Sequence, residues 1–237
     1  MVPALAFFLA ARAVVEGRRD ALLSFDADAA RGVFARLGTA PLTNEAWRGW
    51  VRSVVSPALV RYPATGLVAR IDAVYVVWTL WFDGTSMGGT NDRERRIVLA
   101  LGPGAVDSTW LERAVHHEIA HVVRERRRSG FPNQEWIRAN APGFRYGKGG
   151  FDAVRAGQVS KAFDAALSTQ GVLSVYGASS IDEDWCTIAE SVMVDDPAFW
   201  AFAARYPRLR AKAQLAVEFY RRTFPGIRLR EVGAAER

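Results

Sequence analysis

The sequence has few of the side chains that form disulfides or metal sites: one cysteine and three histidines among 237 residues. Because Cys186 is the only cysteine, an intramolecular disulfide is excluded. We expect no lipoprotein anchor either, since no cysteine lies near the N-terminus. Apolar runs long enough to cross a membrane are also absent, so we expect no transmembrane helix.

Lysine is scarce as well, and 28 of the 31 basic residues are arginine. The net charge of +6 and the pI near 9.9 would suit acidic partners. No common nucleic-acid-binding motif is present, so we expect no nucleic acid partner. The densest basic run, at residues 124–128, is interpreted as the solvated C-terminal end of a helix, where positive charges interact favourably with the helix dipole.

The N-terminal residues allow two interpretations. Residues 2–10 are apolar and residues 11–13 resemble a cleavage site, but the basic segment of a signal peptide is missing. Residues 1–13 are therefore either a signal peptide or a buried helix, and export and a cytoplasmic location both stay open. We expect residues 14–237 to form one catalytic domain, with a helical part at 14–66 and a core at 67–237.

All three histidines lie within residues 115–121, which contain the pattern H-E-x-x-H. Residues four apart on an α-helix share a face, so His117 and His121 can both point at one metal ion. Glu118 lies about 100° around the helix from His117 and could take a proton from a water acidified by zinc. The pattern predicts a zinc protease helix, with His116 as a structural or supporting residue.

The flanking residues favour a buried helix over about residues 110–128. Thr109 and Glu112 have the spacing of a capping box, and Gly130 is predicted to end the helix. Glu118 is the only charged residue between positions 115 and 123. The alternative interpretation is an accidental match on an ordinary amphipathic helix.

Two stretches rich in β-branched and aromatic residues, 69–83 and 96–101, predict strands separated by a glycine-rich turn. We expect a hairpin whose second strand leads into the metal helix. That strand is predicted to be an edge that pairs with an extended peptide substrate through Ile97, Val98, Leu99 and Ala100. Plain sheet structure is the alternative.

Apolar spacing elsewhere predicts further helices. They cover residues 14–38, 44–56, 132–140, 151–168 and 196–224, the last with a break at Pro207, and another begins near Ile181.

Two histidines do not complete a catalytic zinc site, which usually has three protein ligands and a water. Cys186 would give an unusual ligand set, so a carboxylate from residues 182–190 is the natural choice. Glu183 and Glu190 are seven residues apart and share a helix face, so either could reach the metal. Ser180 and Glu183 also have capping-box spacing, and Glu183 could be only a cap.

Residues 116–121 and 171–185, read together, resemble a family of zinc-binding metallopeptidases of the gluzincin type. The shared features are an HHExxH helix and, later in the chain, a Tyr-Gly pair seven residues before Glu-Asp. The layout is also similar to the protease domain of anthrax lethal factor. The resemblance covers about residues 70–195. Thr187 stands where the family has a second glutamate, and Trp185 replaces the usual phenylalanine.

The resemblance implies an α+β, zincin-like metalloprotease domain. In such a domain a small mixed sheet with an edge strand packs on the HExxH helix, beside a second helix that carries a glutamate. It also implies that Glu183 is the third ligand, that Tyr176 steadies the oxyanion and that Asp184 supports the site. Whatever the family's second glutamate supports is lost here or moved to Glu190.

We therefore expect a zinc-dependent endopeptidase in which Glu118 activates a zinc-bound water to cleave a protein or peptide substrate. The alternative is a catalytically inactive zinc-binding protein of the same fold that acts as a partner-binding module, which Thr187 favours. A third interpretation, supported only by the arginine content, is a protein that binds nucleic acid or a membrane surface.

Overall fold

The structure, a computed structural model, describes residues 13–102 and 107–232. The predicted signal peptide or buried helix lies outside these residues, except for residue 13. The chain divides into two compact units, residues 1–115 and 116–237, and the boundary falls within the helix that carries the histidines. None of the described helices is both long and apolar enough to span a membrane.

The first unit mixes helices and strands. Its described elements are α1 (residues 13–20), β1 (Leu23–Ser24), α2 (Ala27–Arg31), β2 (Leu37–Ala40), α3 (Glu45–Val60), α4 (Ala64–Val68), β3 (Ala73–Val77), β4 (Thr79–Phe82), β5 (Thr85–Ser86), β6 (Gly89–Asn91) and β7 (Arg96–Ala100). The helix predicted at residues 44–56 is confirmed as α3 and extends through Pro57.

The single helix predicted over residues 14–38 is wrong. Leu23 and Ser24 instead pair with strand β3. The Asp26 side chain then starts the separate helix α2 by accepting the backbone N–H groups of Asp28 and Ala29. Of the apolar residues that suggested one helical face, Leu23 lies in β1, Leu37 lies in β2 and the others lie in turns or loops.

The seven strands of the described residues form two sheets. The four-stranded sheet has the order β1-β3-β7-β6, with β1, β3 and β7 parallel and β6 antiparallel to β7. The three-stranded sheet, β2-β4-β5, is antiparallel. The predicted α+β class with a small mixed sheet is confirmed. The predicted hairpin is wrong, because residues 69–83 contribute to both sheets and β3 runs parallel to β7.

Strand β7 contains the four residues predicted to form a substrate-binding edge: Ile97, Val98, Leu99 and Ala100. It is not an edge, since β3 pairs with one side of it and β6 with the other. Its backbone groups are already bonded to two neighbours, so they cannot take an extended peptide as a further strand. The antiparallel edge of this sheet is the short strand β6.

Helix α5 (Ser108–Arg126) is the predicted metal helix. The predicted capping box is wrong, because Asp107 rather than Thr109 caps the helix and accepts the backbone N–H of Trp110 at 2.7 Å. The helix also ends four residues before Gly130, which belongs to a 3-10 turn.

The second unit is helical. After the C-terminal part of α5 it contains α6 (Asn133–Arg138), α7 (Gly150–Arg155), α8 (Ala165–Thr169), α9 (Ile181–Met193), α10 (Pro197–Arg205) and α11 (Pro207–Thr223). The helices predicted near Pro132 and Ile181 and the break at Pro207 are confirmed. The helix predicted at 151–168 is wrong, since two short helices and a loop occupy that stretch.

An aromatic cluster forms the core of the second unit around Trp185. Its ring lies 5.2–5.6 Å from the rings of Phe131, Trp136, Phe219 and Tyr220. Trp185 is fully buried and donates its indole N–H to the carbonyl oxygen of Ala120 at 3.0 Å. This contact holds helix α9 against the C-terminal part of α5.

Candidate metal centre

His117 and His121 lie one turn apart on α5, with ring centroids 5.0 Å apart. Glu183, on the first turn of α9, brings its carboxylate to both rings. Its Oε2 atom lies 3.0 Å from Nε2 of His117 and 3.5 Å from Nε2 of His121. The structure thus brings together the three side chains that the sequence and the family resemblance proposed as ligands.

The separations between these three donors suit a single ion. A tetrahedral zinc with bonds of about 2.0–2.1 Å keeps its ligand atoms about 3.3–3.4 Å apart. The two N–O distances to Glu183 lie on either side of that value. Two imidazoles and one carboxylate are also a known donor set of open, catalytic zinc sites.

Cys186 gives a second candidate set with the same imidazoles. The donor atoms of His117, His121 and Cys186 all lie within 4.8 Å of one another. Metal binding requires the thiolate, but burial and the charge of Glu183 raise the pKa of the Cys186 thiol well above its usual range. Glu183, whose Oε2 atom lies 3.0 and 3.5 Å from the two Nε2 atoms, is ionised without a metal and is the other candidate third donor.

Glu183 serves both as part of a helix start and as a partner of the imidazoles. Its backbone N–H donates to the Ser180 hydroxyl at 3.1 Å, so the predicted cap exists but uses the Ser180 side chain. Burial would raise the pKa of Glu183, but the charge of His121 and hydrogen bonds from both imidazoles hold it well below its usual range. The carboxylate is therefore ionised, as a metal ligand must be.

Glu190 lies on the other side of the His117 ring. Its Oε2 atom is 2.8 Å from Nδ1, whereas Glu183 approaches Nε2. A carboxylate that accepts the Nδ1–H fixes the tautomer and leaves the Nε2 lone pair for a metal. Burial would raise the pKa of Glu190, but the Lys161 ammonium and His117 lower it to about 2.

His117 is itself held between these two carboxylates. Burial and the Lys161 charge lower its pKa, but the hydrogen bonds to Glu183 and Glu190 outweigh them and raise it to about 9. Without a metal ion, a proton would therefore occupy Nε2 at neutral pH. A metal would have to displace that proton.

Tyr176 lies beside the same carboxylate. Its ring centroid is 6.0 Å from that of His117, and both its hydroxyl and the Glu183 carboxylate lie close to Gly150. Burial and the charges of Glu183 and Glu118 raise the tyrosine's pKa, so the hydroxyl keeps its proton as a donor. Gly150 packs closely here, because a Cβ atom there would overlap Oε1 of Glu183 and come within 3.0 Å of the Tyr176 hydroxyl.

Glu118 and His116, the other two predicted residues of α5, are both buried. After burial and the charge of Glu183, the charge of Glu118 also contributes to the raised pKa values of Tyr176 and Cys186. His116 is fully buried within the second unit, in keeping with a structural role.

Two ion pairs that sequence reasoning missed flank Glu183 in the chain. Arg124 pairs with Asp182, donates to Asn133 Oδ1 at 3.1 Å and is buried. The interpretation of residues 124–128 as a solvated helix end is therefore wrong for Arg124. This pair ties the first turn of α9 to the end of α5.

The second pair joins Asp184 to Lys212 of α11, and both side chains are fully buried. The Oδ2 atom of Asp184 accepts hydrogen bonds from Lys212 at 2.5 Å, Tyr146 at 2.6 Å and Trp136 at 2.9 Å. Burial lowers the pKa of Lys212, and Asp184 acts against that shift. These contacts anchor the first turn of α9 to Lys212 of α11 and Trp136 of α6.

Comparisons with known proteins add no assignment to this geometry. No family model matches the chain, and no curated protein or solved structure is significantly similar to it. Membership of the gluzincin-type family is therefore a proposal.

Proposed function

We propose that this chain is a zinc-dependent endopeptidase with a gluzincin-type, zincin-like catalytic site. The observation that carries the proposal is the position of Glu183 Oε2, 3.0 and 3.5 Å from the two Nε2 atoms of the H-E-x-x-H helix. His117, His121 and Glu183 would hold the ion. When bound, zinc supplies a Lewis acid that polarises a carbonyl group and acidifies water.

The remaining roles fall to side chains around these ligands. Glu118 follows His117 on the helix, is nearly buried and would accept the proton of the attacking water and pass it to the leaving amine. Tyr176 keeps its hydroxyl proton and would donate it in a hydrogen bond to the developing oxyanion. Glu190 would accept the Nδ1–H of His117 and so leave the Nε2 lone pair free to bind the ion.

The experiment that tests the proposal compares the parent with Glu118→Gln, using zinc content per chain and cleavage of an unfolded protein. We expect one zinc in both proteins and at least about 100-fold slower cleavage by Glu118→Gln, since the general base is lost. Glu125→Gln, which changes a glutamate in the last turn of the same helix, is the control and should cleave normally. Normal cleavage by Glu118→Gln would overturn the mechanism.

A second candidate function is a zinc-binding protein without catalytic activity. The observation that favours it is the approach of Cys186 to both imidazoles. A fourth protein ligand would close the coordination shell, as in structural zinc sites. With cobalt in place of zinc, this alternative predicts a thiolate-to-metal absorption that Cys186→Ser abolishes. The endopeptidase proposal predicts no such band and normal metal content in Cys186→Ser.

A further inference from the structure

Lys161 lies in the loop between α7 and α8, and hydrogen bonds tie this loop to the segment that carries Tyr176. The carbonyl oxygen of Ser160, next to Lys161, accepts the backbone N–H of Tyr176 at 3.0 Å. The backbone N–H of Asp164 donates to the Leu173 carbonyl oxygen at 3.0 Å. The backbone of Lys161 is therefore fixed relative to the candidate metal centre.

The side chain of Lys161 reaches the side of His117 that faces away from Glu183. Its Nζ atom lies 2.8 Å from Glu190 Oε2 and 3.1 Å from His117 Nδ1. It also lies 5.7 Å from the centroid of the Tyr176 ring. When Nδ1 of His117 carries the proton, Glu190 Oε2 accepts from the Lys161 ammonium and from this Nδ1–H at the same time.

The two ends of this contact differ in exposure. The side chain of Glu190 is 3% exposed, whereas that of Lys161 is 37% exposed. A buried carboxylate needs a nearby cation or several donors to stay in place, and a half-exposed lysine can supply a cation at small desolvation cost. Lys161 therefore stabilises Glu190 from the solvent side.

We propose that Lys161 is a positioning residue of the metal centre: by holding Glu190 on Nδ1 of His117, it keeps Nε2 of His117 directed at the ion. This inference rests on the proposed function, because it assumes that His117 binds a metal.

Whether metal binding weakens or strengthens when Lys161 is removed distinguishes a positioning role from a purely electrostatic one. Lys161 is a cation close to a cation site, so charge alone predicts that its removal strengthens metal binding. Loss of an outer partner of a histidine ligand typically weakens metal affinity 10- to 100-fold, as an order of magnitude. We expect the second effect to dominate, since Glu190 contacts the imidazole directly.

The test measures zinc affinity by competition with a chelator. Lys161→Met should bind zinc about tenfold or more weakly than the parent. Lys161→Arg should restore most of the affinity, because it keeps a cation at this position. Lys148→Met removes the same charge from an exposed lysine and should bind zinc like the parent. Unchanged or tighter binding by Lys161→Met would overturn the inference.

A Glu190→Gln background shows whether Lys161 acts through Glu190. There, Lys161→Met should cause no further loss of zinc affinity, because the carboxylate that it holds is already gone. An undiminished loss in that background would contradict a positioning role.

A crystal structure of Lys161→Met separates this inference from the proposed function. We expect Glu190 Oε2 to leave Nδ1 of His117, lengthening the 2.8 Å contact beyond hydrogen-bonding distance. A parent protein without zinc would defeat the proposed function, whereas an unchanged 2.8 Å contact in this variant would defeat the inference about Lys161.

Discussion

The indole N–H of Trp185 donates to the carbonyl oxygen of Ala120, and this bond is one of those that join the two helices that carry the candidate ligands. Ala120 precedes His121 on α5, and Trp185 follows Glu183 by two residues on α9. The bond is buried and 3.0 Å long. It helps to hold the turn that carries Glu183 against the turn that carries His121, so Trp185 has a specific structural role.

Trp185→Phe should lower the free energy of unfolding by about 1–3 kcal/mol, because the hydrogen bond is lost and the smaller ring leaves a gap. Urea unfolding of the parent and the variant measures this. Trp200→Phe is the control: its indole N–H bonds to Asp195 at the surface, and its loss should cost about 0.5 kcal/mol or less. Equal effects of the two substitutions would contradict the role of Trp185.

Lys212→Met should destabilise the protein by about 3–5 kcal/mol, because it leaves the charge of Asp184 buried without its cation. Replacing both partners removes both charges. The double variant Lys212→Met, Asp184→Asn should therefore be more stable than Lys212→Met alone. Denaturant titration of four proteins, the parent, Lys212→Met, Asp184→Asn and the double variant, measures the coupling, and simple additivity of the two substitutions would argue against a buried ion pair.

Gly150→Ala should weaken zinc binding more than it weakens the fold. The new methyl group would overlap Oε1 of Glu183, and the end of a flexible side chain can move aside more easily than backbone. That movement carries the carboxylate away from the imidazoles. Zinc affinity and thermal unfolding are measured in parallel, with Gly130→Ala, which has open space around it, as the control. Parent-like zinc affinity would show that Glu183 tolerates the methyl group.

Zinc affinity should rise with pH between about pH 6.5 and 9. The pKa of His117 is raised to about 9 by Glu183 and Glu190, so a metal must displace a proton across this range. One displaced proton corresponds to up to about tenfold in affinity per pH unit. Chelator competition at several pH values measures the slope, and Glu190→Gln should flatten it by lowering the pKa of His117. A flat profile in the parent would mean that His117 is already neutral.

Whereas zinc affinity should rise with pH, the contribution of His117 to the stability of the chelator-treated protein should fall. Because the folded-state pKa of His117 lies above its unfolded value of 6.5, its stabilising contribution is complete below pH 6.5. It is lost as the pH rises through 9. Unfolding of the parent and of His117→Gln across this range measures the difference, which should shrink as the pH rises.

Local pattern was sufficient to predict the metal helix and the start of α9. The four-residue spacing of His117 and His121 fixes a shared face whatever surrounds it. The same spacing logic could not separate Glu183 from Glu190, since residues seven apart lie on one face. The difference arises from the His117 ring, which offers one nitrogen to each carboxylate.

Contacts between distant residues account for what the sequence did not reveal. Lys161 and Glu190 are 29 residues apart, and Asp184 and Lys212 are 28 apart. Nothing in the local pattern of either lysine distinguishes it from a solvated one. The predicted strand pairing was wrong for a related reason. A glycine-rich turn between two apolar stretches predicts a hairpin, but here the stretch between them contains strand β6, which takes the antiparallel place beside β7.

The two ion pairs beside Glu183 also have a consequence for how this sequence can change over time. Asp182 pairs with Arg124 and Asp184 with Lys212, so a substitution at one position leaves an unpaired charge at the other, and in the second pair that charge is fully buried. Drift at these positions would therefore proceed in pairs, 124 with 182 and 184 with 212. Correlated changes at these two pairs, around an unchanged glutamate between them, would be the evolutionary trace of the same site.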